Sequence, residues 1–240
     1  MTAPVIEATD VVKVLGQGPG QVQALRGVTL SLNPGELTLL MGPSGSGKTT
    51  LLSILGCILS PTSGTIRIRG RSTAGLEAEQ LAQLRRNHVG FIFQSYRLFP
   101  TLTATENVRM ALDVCGESSR NSRAKATAAL TAVGLAHKAN AFPRELSAGE
   151  QQRVAVARAV VGNASIVLAD EPTAALDSAN GQAIMTLLAG IAHDPGRAVL
   201  VVTHDPRTVP FANRIIRIED GRLVDEERPA ARPQAGCQST

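Results

Sequence analysis

Apolar residues fall along this chain in two patterns: short runs with the period of a strand, and longer stretches with the spacing of a helix. Val22–Leu32 alternates apolar and polar residues as a half-exposed strand does. Leu37–Met41 is continuously apolar and ends in a glycine-rich turn, the pattern of a buried strand, and Lys48–Ile58 then reads as a helix packed on it. Thr65–Arg69 alternates again before Gly70, Glu77–Arg86 has helical spacing, and Val89–Phe93 is a short buried strand. From about Thr103 to Gly162 the chain is rich in Ala, Leu and charged residues at helical spacing, broken at Gly116–Ser119, Gly134 and Pro143. That stretch predicts a mostly helical insertion. Ile166–Ala169 and Ala198–Thr203 are short, apolar and β-branched, with the helical pattern Ser178–His193 between them. Such alternation predicts an α/β fold with a parallel sheet covered on both faces. Arg214–Ile218 and Arg222–Asp225 flank the hairpin turn Asp220–Gly221, and the Pro-, Ala-, Arg- and Gln-rich stretch from Glu226 to Thr240 predicts a disordered tail.

Composition narrows this little but excludes much. The 240 residues suit one large α/β domain or a core with an inserted subdomain. Hydrophobic residues at 43% and charged residues at 18% predict a globular chain. Aromatics are 2% with no Trp, so aliphatic side chains must fill the core. The net charge of +4 comes from scattered arginines without a like-charge block, and no nucleic-acid partner is expected. Cys57, Cys115 and Cys237 are odd in number and far apart, which suggests neither a disulfide framework nor a metal spacing and fits a reducing compartment. Cys57 falls on the buried face of a predicted helix. The segment MTAPVIEATD lacks the features of a signal peptide, and no run approaches the ~18 apolar residues that span a bilayer. The expectation is a soluble chain that reaches a membrane through a partner.

The candidate chemistry begins after the buried strand at Leu37–Met41. Gly42, Pro43, Ser44, Gly45, Ser46, Gly47, Lys48 and Thr49, followed by Thr50, form a glycine-rich turn that opens a helix. Successive N–H groups in such a turn make a concave anion site, and the helix N-terminus adds partial positive charge. Lys48 supplies a charge to β- and γ-phosphates, and Thr49 offers a hydroxyl to Mg²⁺. A second feature is the apolar strand Ile166–Ala169, which ends in Asp170-Glu171. Ligands of α/β sheets bind beyond the carboxyl ends of the strands. There Asp170 suits a metal ion, and Glu171 suits the orientation of attacking water. His204 ends the next apolar strand, where it can hydrogen-bond a γ-phosphate. Gln94 ends the strand Val89–Phe93 within reach of metal or water.

The segment Leu146-Ser147-Ala148-Gly149-Glu150-Gln151-Gln152-Arg153 resembles the signature motif of ATP-binding cassette (ABC) ATPases, ahead of a helix read over Glu150–Val161. The remaining elements of that family stand in order: the phosphate loop, Gln94, the signature, Asp170 and Glu171, the loop Ala175-Leu176-Asp177, and His204. The resemblance covers about Val5 to Glu226. It implies a P-loop NTPase, RecA-like core with an antiparallel β-subdomain and a helical subdomain at about 95–162, in a single domain over 1–226. It implies ATP and Mg²⁺ as cofactors. Glu171, His204 and Gln94 would be catalytic, with Thr49, Gln94 and Asp170 at the metal. It also implies a head-to-tail homodimer, each ATP lying between Lys48 of one copy and Ser147 and Gly149 of the other, with Asp177 also among the cofactor-binding residues.

Two residues depart from the family pattern. Ala148 replaces a signature glycine, and its N–H stays usable if its φ is negative. Leu15 falls where many relatives carry an adenine-stacking aromatic, so weak adenine discrimination and a high Michaelis constant for ATP are expected. Ile54-Leu55-Gly56-Cys57, Pro143–Glu145, the loop Gly16–Ala24 and Ala169–Asp177 resemble one branch, that of lipoprotein-release, macrolide-export and heterocyst-glycolipid-export ATPases, with the heterocyst type the nearest match. That branch implies a permease with a large extracytoplasmic domain, a periplasmic adaptor, and a place on the cytoplasmic face of the inner membrane. Tyr96–Ala111 resembles that branch's partner-facing surface, and Tyr96–Val114, with Tyr96 and Phe99 expected exposed, is expected to dock a permease helix. An alternative is a cell-division type ATPase that controls a peptidoglycan hydrolase without transport. Soluble ABC proteins of translation or repair carry paired cassettes or long coiled coils, which this sequence lacks.

Overall fold

The computed structural model describes residues 3–162 and 164–229. Among the described residues, ten strands form two sheets, and six α-helices pack with them around two apolar cores. The larger sheet has six strands in the order β10(Arg222–Glu227), β9(Arg214–Glu219), β3(Leu37–Met41), β8(Ala198–Thr203), β7(Ile166–Asp170), β6(Val89–Ile92). All neighbours in it are parallel except the β9–β10 hairpin. Burial on both faces explains why these strands read as unbroken apolar runs. The smaller sheet is antiparallel, in the order β2(Val22–Leu32), β1(Ile6–Leu15), β4(Ser63–Ile68), β5(Arg71–Ser72).

Strand alternation divides the cores. Leu39 and Val201 face α3(Ala104–Val114), α4(Ser119–Ala132), α5(Ala148–Val160) and α6(Ser178–Ala192). Leu40, Leu200 and Val202 face the smaller sheet across α1(Lys48–Leu55). The stretch 95–162 contains no strand among its described residues, as its helical spacing predicts. Capping boxes at Thr103/Glu106 and Ser147/Glu150 start α3 and α5.

Several expectations need correction. The strand β1 is not visible as an alternation because a bulge interrupts it: register shifts between Ala8 and Val11, where Asp10 holds φ 50. Helix α1 stops at Leu55, so Cys57 is buried in a left-handed turn (φ 56) and not on a helix. A further helix, α2(Ala78–His88), runs slightly past its predicted end. The loop after β1 is shorter than Gly16–Ala24, because Val22–Ala24 already belong to β2. Strand β10 extends to Glu227, and Arg228 pairs with Glu36 at 2.6 Å, so the ordered chain runs past Glu226. The predicted disordered tail from residue 230 onward lies outside the described residues.

Candidate functional site

Three close approaches hold the glycine-rich turn after β3. A Cβ on Gly42 would lie 2.1 Å from the Ile218 carbonyl, and one on Gly47 (φ 99) would lie 2.5 Å from the Ala24 carbonyl. At the tip of the β9–β10 hairpin, the Gly221 N–H donates to the Ser46 carbonyl at 3.1 Å. Helix α1 then starts without a side-chain cap at Gly47, so no side chain competes for its first N–H groups. Lys48 bends back over the loop, with Nζ donating to the carbonyls of Gly42 (2.8 Å) and Pro43 (2.7 Å). Burial lowers its pKa, while Glu171 and Asp170 pull it back up.

The turn forms one wall of a cleft of about 890 Å³. Pro43, Ser44, Gly45, Gly47, Lys48, Thr49 and Thr50 line it together with Gln94, Glu171 and His204. Four separate parts of the sequence thus meet at the carboxyl edge of the parallel sheet. Gly42 and Ser46 support the loop from behind, and Ser46 is buried.

Asp170 closes β7, and the Thr49 hydroxyl donates to its Oδ1 at 3.3 Å. Burial raises the Asp170 pKa and Glu171 adds to the rise, against the Thr49 bond and the charges of Lys48 and Arg97. At Glu171 the backbone turns left-handed (φ 47), which ends the strand, while its N–H still donates to the Val202 carbonyl at 2.9 Å. Its Oε1 lies 2.7 Å from His204 Nδ1. A left-handed non-glycine residue costs about 1–3 kcal/mol and persists where surrounding contacts impose it.

Ser147, Gly149 and Asp177 do not line this cleft. Helix α5 begins at Ala148, two residues before the predicted start, with Ser147 as N-cap. Ser147 Oγ accepts from the Glu150 N–H at 3.3 Å, and Glu150 accepts from the Ser147 N–H at 2.8 Å. The Ser147 N–H bond holds the Glu150 carboxyl below its ordinary pKa. Ala148 is helical and its φ is not positive, so the glycine it replaces is not required for backbone conformation. Gly149 is different: a Cβ there would lie 2.5 Å from Asn180 Oδ1. Asp177 caps α6, accepting from the Asn180 N–H (2.9 Å) and Nδ2 (2.6 Å). The signature helix and the Asp177 loop of one chain therefore touch through Asn180. Nothing in the local pattern around Asn180 signals that contact.

At the other end of the cleft, Leu15 and Val22 are partners across the β1–β2 pair. They are 39% and 63% exposed, and both line the cleft. An aliphatic platform thus forms this end of the cleft.

A second groove, about 520 Å³, lies between α2, β6 and α3. Ile58, Phe91, Phe93, Phe99, Met110 and Val114 give it an apolar floor, and Arg85, Arg86 and Arg97 also line it. Phe99 is exposed as predicted, whereas Tyr96 is half-buried and does not line the groove. Asn107, fully buried, fixes this surface by bonding both the N–H and the carbonyl of Phe99.

The family profile described as ABC transporter matches residues 25–174. Among curated proteins, the chain is 42% identical over 95% of its length to the macrolide export ATP-binding/permease protein MacB of Marinobacter nauticus. It is 44% identical over its whole length to the MacB of Sodalis glossinidius, and 45% identical over 94% to the pyoverdine export ATP-binding/permease protein PvdT of Pseudomonas entomophila. The chain spans about a third of the length of these relatives, 36%, 37% and 35% in turn. Among solved structures it matches the dimeric post-hydrolysis state of the ATP-binding cassette MJ0796 bound to ADP and Pi. That match has a TM-score of 0.86 at 41% identity, covering 94% of this chain and 99% of the other.

Proposed function

The chain belongs to the ABC transporter family, in its lipoprotein-release and macrolide-export branch, and we propose from that premise how its residues divide the work of an exporter's ATPase. As a member it is an ATP-binding cassette that hydrolyses ATP. The described residues through Arg228 make up one cassette, with the helical subdomain at about 95–162. Gly42–Thr50 receives the phosphates. Thr49 and Asp170 offer a hard oxygen pair 3.3 Å apart, with Gln94 on the same cleft, a donor set suited to Mg²⁺. Bound there, Mg²⁺ would neutralise charge on the β- and γ-phosphates. Glu171 orients the attacking water and accepts its proton. His204, whose Nδ1 lies 2.7 Å from Glu171 Oε1, holds the Glu171 carboxylate in place and reaches toward the γ-phosphate.

The observation that carries the two-copy arrangement is that Ser147 and Gly149 lie outside the Lys48 cleft of their own chain. A single chain therefore offers two half-sites. In a head-to-tail pair, Ser147, Gly149 and the N-terminus of α5 face the ATP held by the other copy's Lys48, with Asp177 beside them. ATP then holds the pair closed, and hydrolysis opens it.

The apolar groove receives a helix from the permease, an amphipathic segment whose apolar face meets Phe99, Met110 and Val114 and whose acidic residues meet Arg85 and Arg86. None of the described helices is long and apolar enough to cross a membrane. The cassette is held at the cytoplasmic face of the inner membrane through that permease, whose large extracytoplasmic domain meets a periplasmic adaptor. The resemblance to heterocyst-glycolipid exporters is a finer reading that the macrolide and pyoverdine relatives do not carry. The test is size analysis of Glu171→Gln with ATP, combined with crosslinking from Phe99 and Val114. An ATP-dependent dimer and crosslinks to a membrane partner are expected. A monomer at saturating ATP overturns the two-copy site, and loss of fold at Phe99→Ala without any crosslink overturns the docking surface.

A further inference from the structure

One side chain joins two segments that serve different halves of the proposed site. Arg158 lies near the end of α5, the helix that Ser147 caps. Its Nη1 donates to the Arg97 carbonyl at 2.6 Å, and its Nη2 donates to the Tyr96 carbonyl at 2.7 Å. A planar guanidinium can engage two adjacent acceptors at once, which a lysine ammonium cannot copy in the same geometry. Tyr96 and Arg97 both hold left-handed backbones, with φ 58 and 47. Such a pair persists only where its surroundings impose it. Arg97 in turn places its guanidinium 4.3 Å from the ring centre of Phe93, the residue before Gln94. The turn that carries Gln94 is therefore held at both ends.

Arg158 is half-buried, and its partners are neutral carbonyls. Burial lowers its pKa. A charged group placed this way is a costly means of stabilising a loop, since an apolar residue would avoid the desolvation. The arrangement instead ties the turn after Gln94 directly to α5.

Building on the two-copy reading above, we propose that Arg158 is a positioning residue that fastens the Gln94 turn to α5. Gln94 at one nucleotide and Ser147 at the other are then set together. Arg97 and Arg158 also line the apolar groove, so an occupant of the groove acts on the same strut.

The test uses the full chain with Arg158→Met and Arg158→Lys, each alone and combined with Gln94→Ala. Affinity for a fluorescent ATP analogue should stay within about twofold, while kcat falls about tenfold in Arg158→Met. Arg158→Lys should rescue little, because it lacks the fork. The double variant should be no slower than the slower single one, as expected for residues acting as a unit. Losses that multiply, or an unchanged kcat, overturn the assignment. So does a parallel fall in nucleotide affinity, kcat and melting temperature, which marks a purely structural role. Hydrogen exchange on Glu171→Gln with Arg158 intact gives an independent readout. ATP should change protection at 95–98 and 147–151 together, and a change confined to one segment overturns the strut. Absence of any ATP-dependent dimer in Glu171→Gln overturns the two-copy reading beneath it.

Discussion

His204 Nδ1 lies 2.7 Å from Glu171 Oε1, which ties the ends of two neighbouring strands, β7 and β8, into one polar pair at the cleft. Glu171 is the more buried partner, with 15% side-chain exposure against 70% for His204. The histidine therefore closes over the carboxylate from the solvent side. Glu171→Gln should keep ATP binding while hydrolysis falls roughly 100-fold or more, the scale of a lost general base. His204→Ala should fall similarly, because the carboxylate loses its orientation. Phosphate release and nucleotide binding, measured on the same preparations, separate the two effects. Near-normal turnover in Glu171→Gln would falsify the assigned role.

Gly149 and Asn180 make a second prediction. Gly149→Ala places a methyl 2.5 Å from Asn180 Oδ1, a carboxamide that Asp177 already holds. Binding at Lys48 should be retained while turnover drops about tenfold, since ~1 Å misplacement of a positioning group is costly. Adding Asn180→Ala removes the obstacle and should recover part of the loss. Turnover in the double variant no better than in Gly149→Ala would show that the glycine serves some other contact.

Leu15 and Val22 present aliphatic carbons at the end of the cleft where the family resemblance implies a base. Leu15→Tyr should lower the Michaelis constant for ATP about fivefold or more, the low end of a base–aromatic stack. The unmodified chain should use GTP and ATP with similar efficiency. Low-micromolar ATP affinity with GTP excluded would contradict this reading.

Arg214 is buried, and it pairs through two nitrogens with Glu226 at 2.7 Å while bonding the Ser31 carbonyl at 2.6 Å. This joins β9, β10 and β2. Arg214's hydrogen bond to Glu226 holds that carboxyl below its ordinary pKa. The unfolded chain then binds more protons than the folded one across that window. The contribution is full above the ordinary Glu value and is lost as pH falls through the lowered one. Glu226→Gln should cost about 1–3 kcal/mol at neutral pH, toward the low side because Glu226 is partly exposed and water screens the pair. The gap in melting temperature between the two proteins should close on acidification. A constant gap down to pH ~3 would show that the ion pair contributes nothing.

Much of the molecule was legible from the chain alone. The phosphate loop, the acidic strand end, the signature and most strands are local: the residues that matter are adjacent, or they repeat with the period of one element. Burial on both faces writes itself into β3, β7 and β8 as unbroken apolar runs, and helical spacing marks α3 to α6. What the sequence could not decide are contacts between residues far apart in the chain. The bulge at Asp10 hid β1 because it breaks the period on which reading depends. The contact of Asn180 with Gly149 and the reach of Arg158 to Tyr96 and Arg97 have no local signature, since each joins separate elements through a single side chain. The tertiary structure also separated Ser147 from Lys48. Motif order cannot reveal that separation, because order along a chain fixes which elements exist, whereas packing fixes which surfaces they share.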